Sequence, residues 1–203
     1  MPFANLTYRI ASLVHFQPRE EAVLVAVHRI CSETDSVSRI VDIGCGPGFL
    51  SSSVVKNGLS YLGLDSEISH LKYAENKHNN EERIKFRLFH AGTEILNLKR
   101  SDIVVLNGVA HHLEDSALQS VLHSSMKSSG LIICDHFRDQ ASLSSLSRKL
   151  QDLDRGKYIR DHSKFLQLSG YRTLNFSKFM IRFAGLSFWP YFCASYQPIT
   201  QGN

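Results

Sequence analysis

Apolar positions along the chain fall into short runs separated by polar breaks, many of them closed by glycine, and the runs alternate between two spacings. Residues 39–43 (Arg-Ile-Val-Asp-Ile), 60–64, 84–89, 102–107 and 131–135 are short, largely β-branched or apolar segments and are predicted as strands. In 102–107 the Ile-Val-Val-Leu run is uninterrupted, which predicts burial on both faces, as in the middle of a parallel sheet. Between these runs the spacing turns helical: 48–56, closed by Asn57-Gly58; 66–78, with Ile68, Leu71 and Ala74 on one side; and 115–127, closed by Ser128-Ser129-Gly130. Upstream, Pro18 followed by Arg19-Glu20-Glu21 reads as a helix start, with proline in the first turn and acids near the positive end, and the helix is expected to run to about Ser32. Downstream, 141–153 and 162–168 read as helical, and 171–178 and 190–197 as strands. Strand and helix alternate in βαβ rhythm, so the fold class is α/β with a mostly parallel sheet; no internal repeat or inter-domain linker is visible.

Composition narrows this picture only a little. The 203 residues are 43% hydrophobic and 21% charged, which excludes a disordered or low-complexity chain and suffices for one core without staples. The formal charge of +4 is too small to argue for nucleic acid. The basic stretch Lys72, Lys77, Arg83, Lys85 and Arg87 is interleaved with Glu67, Glu75, Glu81 and Glu82, as on a solvated surface. Cys31, Cys45, Cys134 and Cys193 lie far apart, with no pair spaced for zinc or redox work, and the expectation is reduced thiols in a cytoplasmic protein. No segment approaches the roughly 18 apolar residues of a membrane span, and the N-terminus lacks the apolar core of a signal peptide.

The chemistry concentrates at the first strand-to-helix turn, Val41-Asp42-Ile43-Gly44-Cys45-Gly46-Pro47-Gly48. Glycines there admit a ligand close to the backbone. A dinucleotide fingerprint would place its third glycine at 49, where Phe stands. Asp42 precedes the loop; a carboxylate gains nothing beside a pyrophosphate but attracts a ligand carrying an ammonium and a sulfonium. Asp65 ends the second strand, where an acid accepts hydrogen bonds from ribose hydroxyls in sheets of this kind.

These residues resemble the class I S-adenosylmethionine-dependent methyltransferases: Asp-Ile-Gly-Cys-Gly-Pro-Gly at 42–48, Leu-Gly-Leu-Asp at 62–65, the fourth strand and its loop at 102–113, and Gly-Leu-Ile-Ile-Cys-Asp at 130–135. The resemblance covers about residues 20–140 and implies a Rossmann-like three-layer α/β/α sandwich with a seven-stranded, mostly parallel sheet and an antiparallel last strand. It implies S-adenosylmethionine as cofactor. The backbone of Gly44, Cys45 and Gly46, with Gly48 closing the motif, would pack on the methionyl part; Asp42 would serve its ammonium; Asp65 would hold the ribose, with Ser66 beside it; Asn107 and Val109 would line the methionyl side. The family often carries an acid after the third strand for adenine, and here Gly92 stands in that place, leaving Thr93 or backbone groups to read the base.

His111 and His112, in the loop after the fourth strand, and Asp135, at the end of the fifth, are the candidates for a catalytic base, because imidazole titrates near pH ~6.5. No cluster has metal-ligand spacing, so no metal is expected. Arg155 and Arg160 belong to a charged turn, or to a lid segment that meets an anionic substrate. One domain is expected over 1–203: N-terminal helices at 1–35, the cofactor core at 36–136, and substrate-side helices with the last two strands at 137–203. The leading reading is an enzyme that methylates a small molecule at O, N or C. The Asn-Pro-Pro-Tyr/Phe signature of amino-methylating nucleic-acid enzymes is absent, and Asn107-Gly108-Val109-Ala110 stands there. An RNA or protein methyltransferase, or a cofactor-binding partner subunit without turnover, are the alternatives; Phe49 and Asp42 disfavour a dehydrogenase.

Overall fold

The structure, a computed structural model, describes residues 3–34, 36–137, 157–183 and 186–199. In chain order the elements are α1 (Phe3–Glu33), β1 (Arg39–Ile43), α2 (Ser51–Lys56), β2 (Ser60–Asp65), α3 (Ile68–Lys77), β3 (Ile84–Leu88), β4 (Asp102–Asn107), a 3-10 turn (Ala110–His112), α4 (Asp115–Ser125), β5 (Gly130–His136), a second 3-10 turn (His162–Phe165), β6 (Tyr171–Phe183) and β7 (Leu186–Pro198). The seven strands form one sheet in the order β3-β2-β1-β4-β5-β7-β6. All pairs from β3 to β5 are parallel, and β7 runs antiparallel to both β5 and β6. The seven-stranded, mostly parallel arrangement with an antiparallel last strand is therefore present.

Alternate residues of the central strands feed two cores. Ile40, Ile103, Val105 and Ile132 face α1, α2 and α3, where Val23, Ala26, Val27, Ile30, Val54 and Leu71 are buried. Val41, Val104, Leu106, Leu131 and Ile133 face α4 and the aromatic residues Phe165, Phe192 and Tyr196. This two-sided burial is why 102–107 reads as a continuous apolar run. Asp102, fully buried, takes a two-pronged ion pair from Arg39, its register partner on β1, at 2.9 and 2.8 Å. That pair fixes the register of the two central strands at their N-terminal ends.

Five elements differ from the sequence pattern. The first helix does not begin at Pro18 but contains it, and 1–35 holds one described helix rather than several. A proline inside a helix forfeits one hydrogen bond, and the pattern reading assigns it to the first turn for that reason. The second helix starts at Ser51, not at 48, because Gly44, Gly46 and Gly48 all take positive φ (70°, 53° and 72°) and keep the chain in a loop. Residues 162–168 form only a short 3-10 turn, while β6 and β7 each extend to 13 residues as a long hairpin, with Pro190 inside β7 rather than at its start. The helix expected at 141–153 and Arg155 lie outside the described residues.

The sheet order reverses between β1 and β4: the chain steps outward through β2 and β3, then returns to place β4 on the other side of β1. A crevice opens beyond the C-terminal ends of strands at such a point, and ligands bind there in open α/β sheets. No described helix is long and apolar enough to cross a membrane.

Candidate active site

The glycine loop leaves β1 and folds back over the end of β2, with the N–H groups of Gly44 and Cys45 both donating to the Leu64 carbonyl, at 2.7 and 3.1 Å. Gly44 faces the loop after β4, and a Cβ there would overlap the Val109 side chain. The absence of a Cβ thus sets the narrow gap between the two loops. Asp65, at the end of β2, locks the arrangement: the Gly46 N–H donates to its Oδ2 at 2.7 Å and the Glu67 N–H to its Oδ1 at 2.8 Å. Burial pushes this carboxyl up, but hydrogen bonds from His70, Glu67 and Gly46 outweigh it and hold Asp65 below the usual carboxylate range. An ionised carboxylate accepts about four hydrogen bonds, so acceptor capacity remains for a diol.

A cavity of about 480 Å³ lies over these residues, lined among others by Gly44, Gly46, Asp65, Ser66, Val109 and His112. A second cavity, about 420 Å³, opens between Thr34, Arg100, Ser129 and Arg172 at the N-terminal ends of the strands, and none of the candidate residues lines it.

Asp42 lies beneath the loop and is 3% exposed. Its Oδ2 accepts from the Tyr61 hydroxyl at 2.6 Å, while its Oδ1 is buried with no hydrogen-bond partner among the described residues. Burial pushes Asp42 up to about 7; the Tyr61 hydrogen bond and Arg19 act against the shift, and Asp65 adds to it. A buried carboxylate with an orphan oxygen is a receptor for a cationic donor. Together with the gap at Gly44 and the acceptor at Asp65, it fits the ammonium and ribose of S-adenosylmethionine.

The structure separates the other motif residues. Cys45 is buried and packs toward Gly63, and burial, with the charges of Asp42 and Asp65, pushes its thiol far up, so only its backbone belongs to the loop. A Cβ on Gly48 would overlap the Phe86 ring, so this glycine serves helix-sheet packing. Gly92 packs on Ala117, and the Thr93 hydroxyl donates to the His90 carbonyl at 3.1 Å. Neither lines the cavity, whereas His90 and Ala91 do. Asn107 ends β4 with its Oδ1 buried and without a hydrogen-bond partner among the described residues.

On the β4–β5 side, His111 and Asp135 are joined twice. The His111 N–H donates to Asp135 Oδ2 at 3.0 Å, and His111 Nδ1 lies 2.7 Å from Asp135 Oδ1. The His136 N–H also donates to Oδ1, at 2.8 Å. Burial pushes Asp135 up, but His111 and His136 bring it down to about 2. The ionised carboxylate requires His111 Nδ1 to be the donor, which leaves Nε2 as the basic nitrogen of the ring. The His111 ring packs, tilted, with its centroid 4.0 Å from that of His112, which lines the cavity, and 4.2 Å from that of His136.

His136, next to Asp135 at the end of β5, joins the pair. Ligand-capable atoms of His111, Asp135 and His136 lie within 4.8 Å of one another, a grouping the expectation of no metal does not anticipate, since 24 positions separate His111 from Asp135. The Asp135 oxygen that would ligate is already shared by His111 and His136 N–H groups, so the triad as it stands is a hydrogen-bonded network. Arg160, offered as a substrate contact, instead ties its own strap to the histidine turn. It donates to the carbonyls of Ala110 and Leu113, both at 2.7 Å, and pairs with Asp115, while the Tyr158 N–H donates to the His111 carbonyl at 3.0 Å. Arg19 is a residue whose place the sequence pattern misses: its guanidinium lies over the Tyr191 ring at 5.6 Å and against Gly108.

The family model of a methyltransferase domain matches residues 41–131, the span from the glycine loop to the start of β5. No curated protein matches the chain in sequence. Among solved structures, it resembles the N-methyltransferase NodS from Bradyrhizobium japonicum (13% identity, 90% of this chain and 98% of that one, TM-score 0.66). It also resembles magnesium protoporphyrin IX methyltransferase from Synechocystis with bound S-adenosylhomocysteine (15%, 92% and 84%, 0.65). A third is an S-adenosylmethionine-dependent methyltransferase from Methanosarcina mazei (17%, 81% and 93%, 0.63). At these identities the likeness shows the fold, which is that of S-adenosylmethionine-dependent methyltransferases, and the family model identifies residues 41–131 within it as a methyltransferase domain.

Proposed function

We propose that this protein transfers the methyl group of S-adenosylmethionine to an O, N or C atom of a small molecule, as one domain whose 137–203 segment covers the acceptor. The cofactor supplies an activated methyl on a sulfonium. The chain's own residues then have three tasks. Gly44 and Gly46 present the backbone to the methionyl arm, with Asp42 beneath for its ammonium and Asn107 and Val109 alongside. Asp65, beside Ser66, takes the ribose hydroxyls. The histidine cluster removes the acceptor's proton where the acceptor carries one.

The observation that carries the acceptor-side reading is the buried Asp135–His111 pair at 2.7 Å. An ionised carboxylate that fixes an imidazole with Nδ1 protonated makes Nε2 a general base. His112, packed against His111 and lining the cleft, stands on the side where an acceptor would meet the methyl. The strap held by Arg160 ties down the histidine turn on this side. Two structural neighbours fit the reading: one is named for a porphyrin, the other as an N-methyltransferase. Incubation with methyl-labelled cofactor and either a metabolite extract or total RNA and protein separates the alternatives. The expected result is label in the low-molecular-weight fraction; label only in RNA or protein refutes the small-molecule reading.

A further inference from the structure

The cavity of about 420 Å³ lies at the opposite ends of the central strands from the glycine loop and takes no part in the proposed reaction. Its lining holds two arginines, Arg100 before β4 and Arg172 at the start of β6, and no acid among the described residues. The backbone that carries Arg100 is pinned on both sides. The Ser38 and Arg39 N–H groups donate to the Ser101 carbonyl at 2.9 and 3.2 Å, the Lys99 N–H donates to Asp102 Oδ2 at 2.7 Å, and the Ser129 hydroxyl donates to the Arg100 carbonyl. Arg100 itself is exposed, and its guanidinium has no hydrogen-bond or ion-pair partner among the described residues. Arg172 is braced through Nη2, which donates to Glu33 at 3.0 Å and to Gln197 at 2.6 Å; its Nε and Nη1 donors remain unpaired among the described residues. The Thr34 and Ser36 hydroxyls share one hydrogen bond at 3.2 Å, and whichever donates, the other still has a proton to give. Pro198 and Ile199 supply apolar surface to the same lining.

Two guanidinium groups and a hydroxyl donor around one cavity suit an anion with several acceptor oxygens. We propose that this cavity binds a phosphorylated small molecule, its phosphate taken by Arg100 and Arg172 and its organic part lying against Pro198 and Ile199. The planar fork of arginine matches phosphate oxygens in pairs, and a pinned backbone with unpaired donors leaves less to be ordered when the ligand arrives. A lone carboxylate has two oxygens and occupies one fork, whereas a phosphate can serve both. The volume falls within the range of small-molecule pockets, about 300 to 1,000 Å³. Lys99 and Lys127, both exposed, stand next in sequence to the lining residues Arg100 and Ser128 and add positive charge. Glu33, the acid that meets Arg172, is already shared with Arg29. Because the cavity and the cofactor cleft lie at opposite ends of the sheet, both can be filled at once, and the site stands independently of the S-adenosylmethionine reading.

The test is calorimetric binding of inorganic pyrophosphate to the full chain, with and without saturating S-adenosylhomocysteine. Wild type is expected to show one saturable site of the same affinity in both conditions. Arg100→Gln and Arg172→Gln are each expected to weaken it by about 10-fold or more, the range for charge-assisted hydrogen bonds, and Arg100→Lys to retain part of the affinity. Lys127→Gln, which removes a like charge outside the lining, is expected to change little. No saturable binding in wild type, or unchanged affinity in Arg100→Gln, overturns the proposal. Loss of pyrophosphate binding when S-adenosylhomocysteine is present overturns it by placing the anion in the cofactor cleft. An equal loss in Lys127→Gln and Arg100→Gln overturns it in favour of diffuse surface attraction. A short RNA that binds more tightly than pyrophosphate and is lost in Arg100→Gln overturns it in favour of a nucleic-acid surface.

Discussion

Asp42 on β1 and Asp135 on β5 are both buried strand-end carboxylates, one on each side of β4, and they are perturbed in opposite directions. Burial drives Asp42 up to about 7, because one hydrogen bond from Tyr61 and the charge of Arg19 do not compensate it. Burial acts on Asp135 as well, but His111 and His136 bring it down to about 2. Equal burial with different company separates two jobs. Asp135 is a finished internal support that fixes an imidazole. Asp42 is unfinished: its Oδ1 has no hydrogen-bond partner among the described residues, and in the proposed function a cation from outside completes it. The glycine side of the cleft is built to receive, the histidine side to hold something already made.

The sharpest division of the two sides comes from Asp65→Ala set against Asp135→Asn. Asp65→Ala is expected to weaken S-adenosylhomocysteine by at least about 100-fold, since two ribose hydrogen bonds to a charged acceptor and the Gly46 tie are lost together. Asp135→Asn is expected to leave that affinity nearly unchanged while methyl transfer collapses. Similar losses of binding in both variants, measured by calorimetry, would erase the distinction.

Next in size is the stability carried by Asp135. Its folded pKa of about 2 lies below the unfolded value of 3.8, so its contribution is complete above the unfolded value and is lost as pH falls through the folded one. Urea unfolding is expected to show wild type losing on the order of 2 kcal/mol to this group between about pH 4 and pH 2, and Asp135→Asn lacking that part of the slope. Asp42 has the opposite sign. Its raised pKa means the folded protein binds more protons than the unfolded chain between 3.8 and about 7, so the ligand-free protein loses stability as pH rises through that window. Asp42→Asn is expected to flatten that slope.

The same titration appears in binding as a smaller effect. S-Adenosylhomocysteine affinity is expected to rise about tenfold between about pH 6 and pH 8 as Asp42 ionises, and to be flat over that range in Asp42→Asn. The smallest effect is at the strap. Arg160→Ala removes donors to Ala110 and Leu113 and is expected to cost about 1 kcal/mol of stability, with cofactor affinity unchanged and acceptor KM raised.

The glycine side was legible in sequence because its chemistry is local. Asp42, Gly44, Gly46 and Asp65 lie at the ends of two consecutive strands, and the spacing alone brings them together. The central strands were legible for the same reason, since burial on both faces leaves an unbroken apolar run at 102–107. What stayed hidden was assembled across the chain. Arg19 reads as a helix-start residue because Pro18 precedes it, and only the continuation of α1 upstream and the glycine at 108 show where the side chain goes. His136 stands beside Asp135 in the sequence, but its contact with His111 leaves no spacing signal, since His111 comes from the loop after another strand. Gly48, Gly92 and Thr93 sit in or beside the motifs yet meet Phe86, Ala117 and the His90 carbonyl, which pattern alone does not distinguish from a ligand. The hairpin was read short because Pro190 looks like a boundary, whereas it lies within β7 opposite Met180.

If the glycine side holds a carboxylate waiting for the cofactor's cation, binding near neutral pH must release protons. Calorimetry of S-adenosylhomocysteine near pH 7, in buffers of different ionisation enthalpy, is expected to show one saturable site and release of about half a proton, as Asp42 is forced to ionise by the ammonium it receives. Release should vanish in Asp42→Asn. Saturable binding with no proton exchange in wild type, or no binding at all, would rule out Asp42 as the receptor of the cofactor's ammonium.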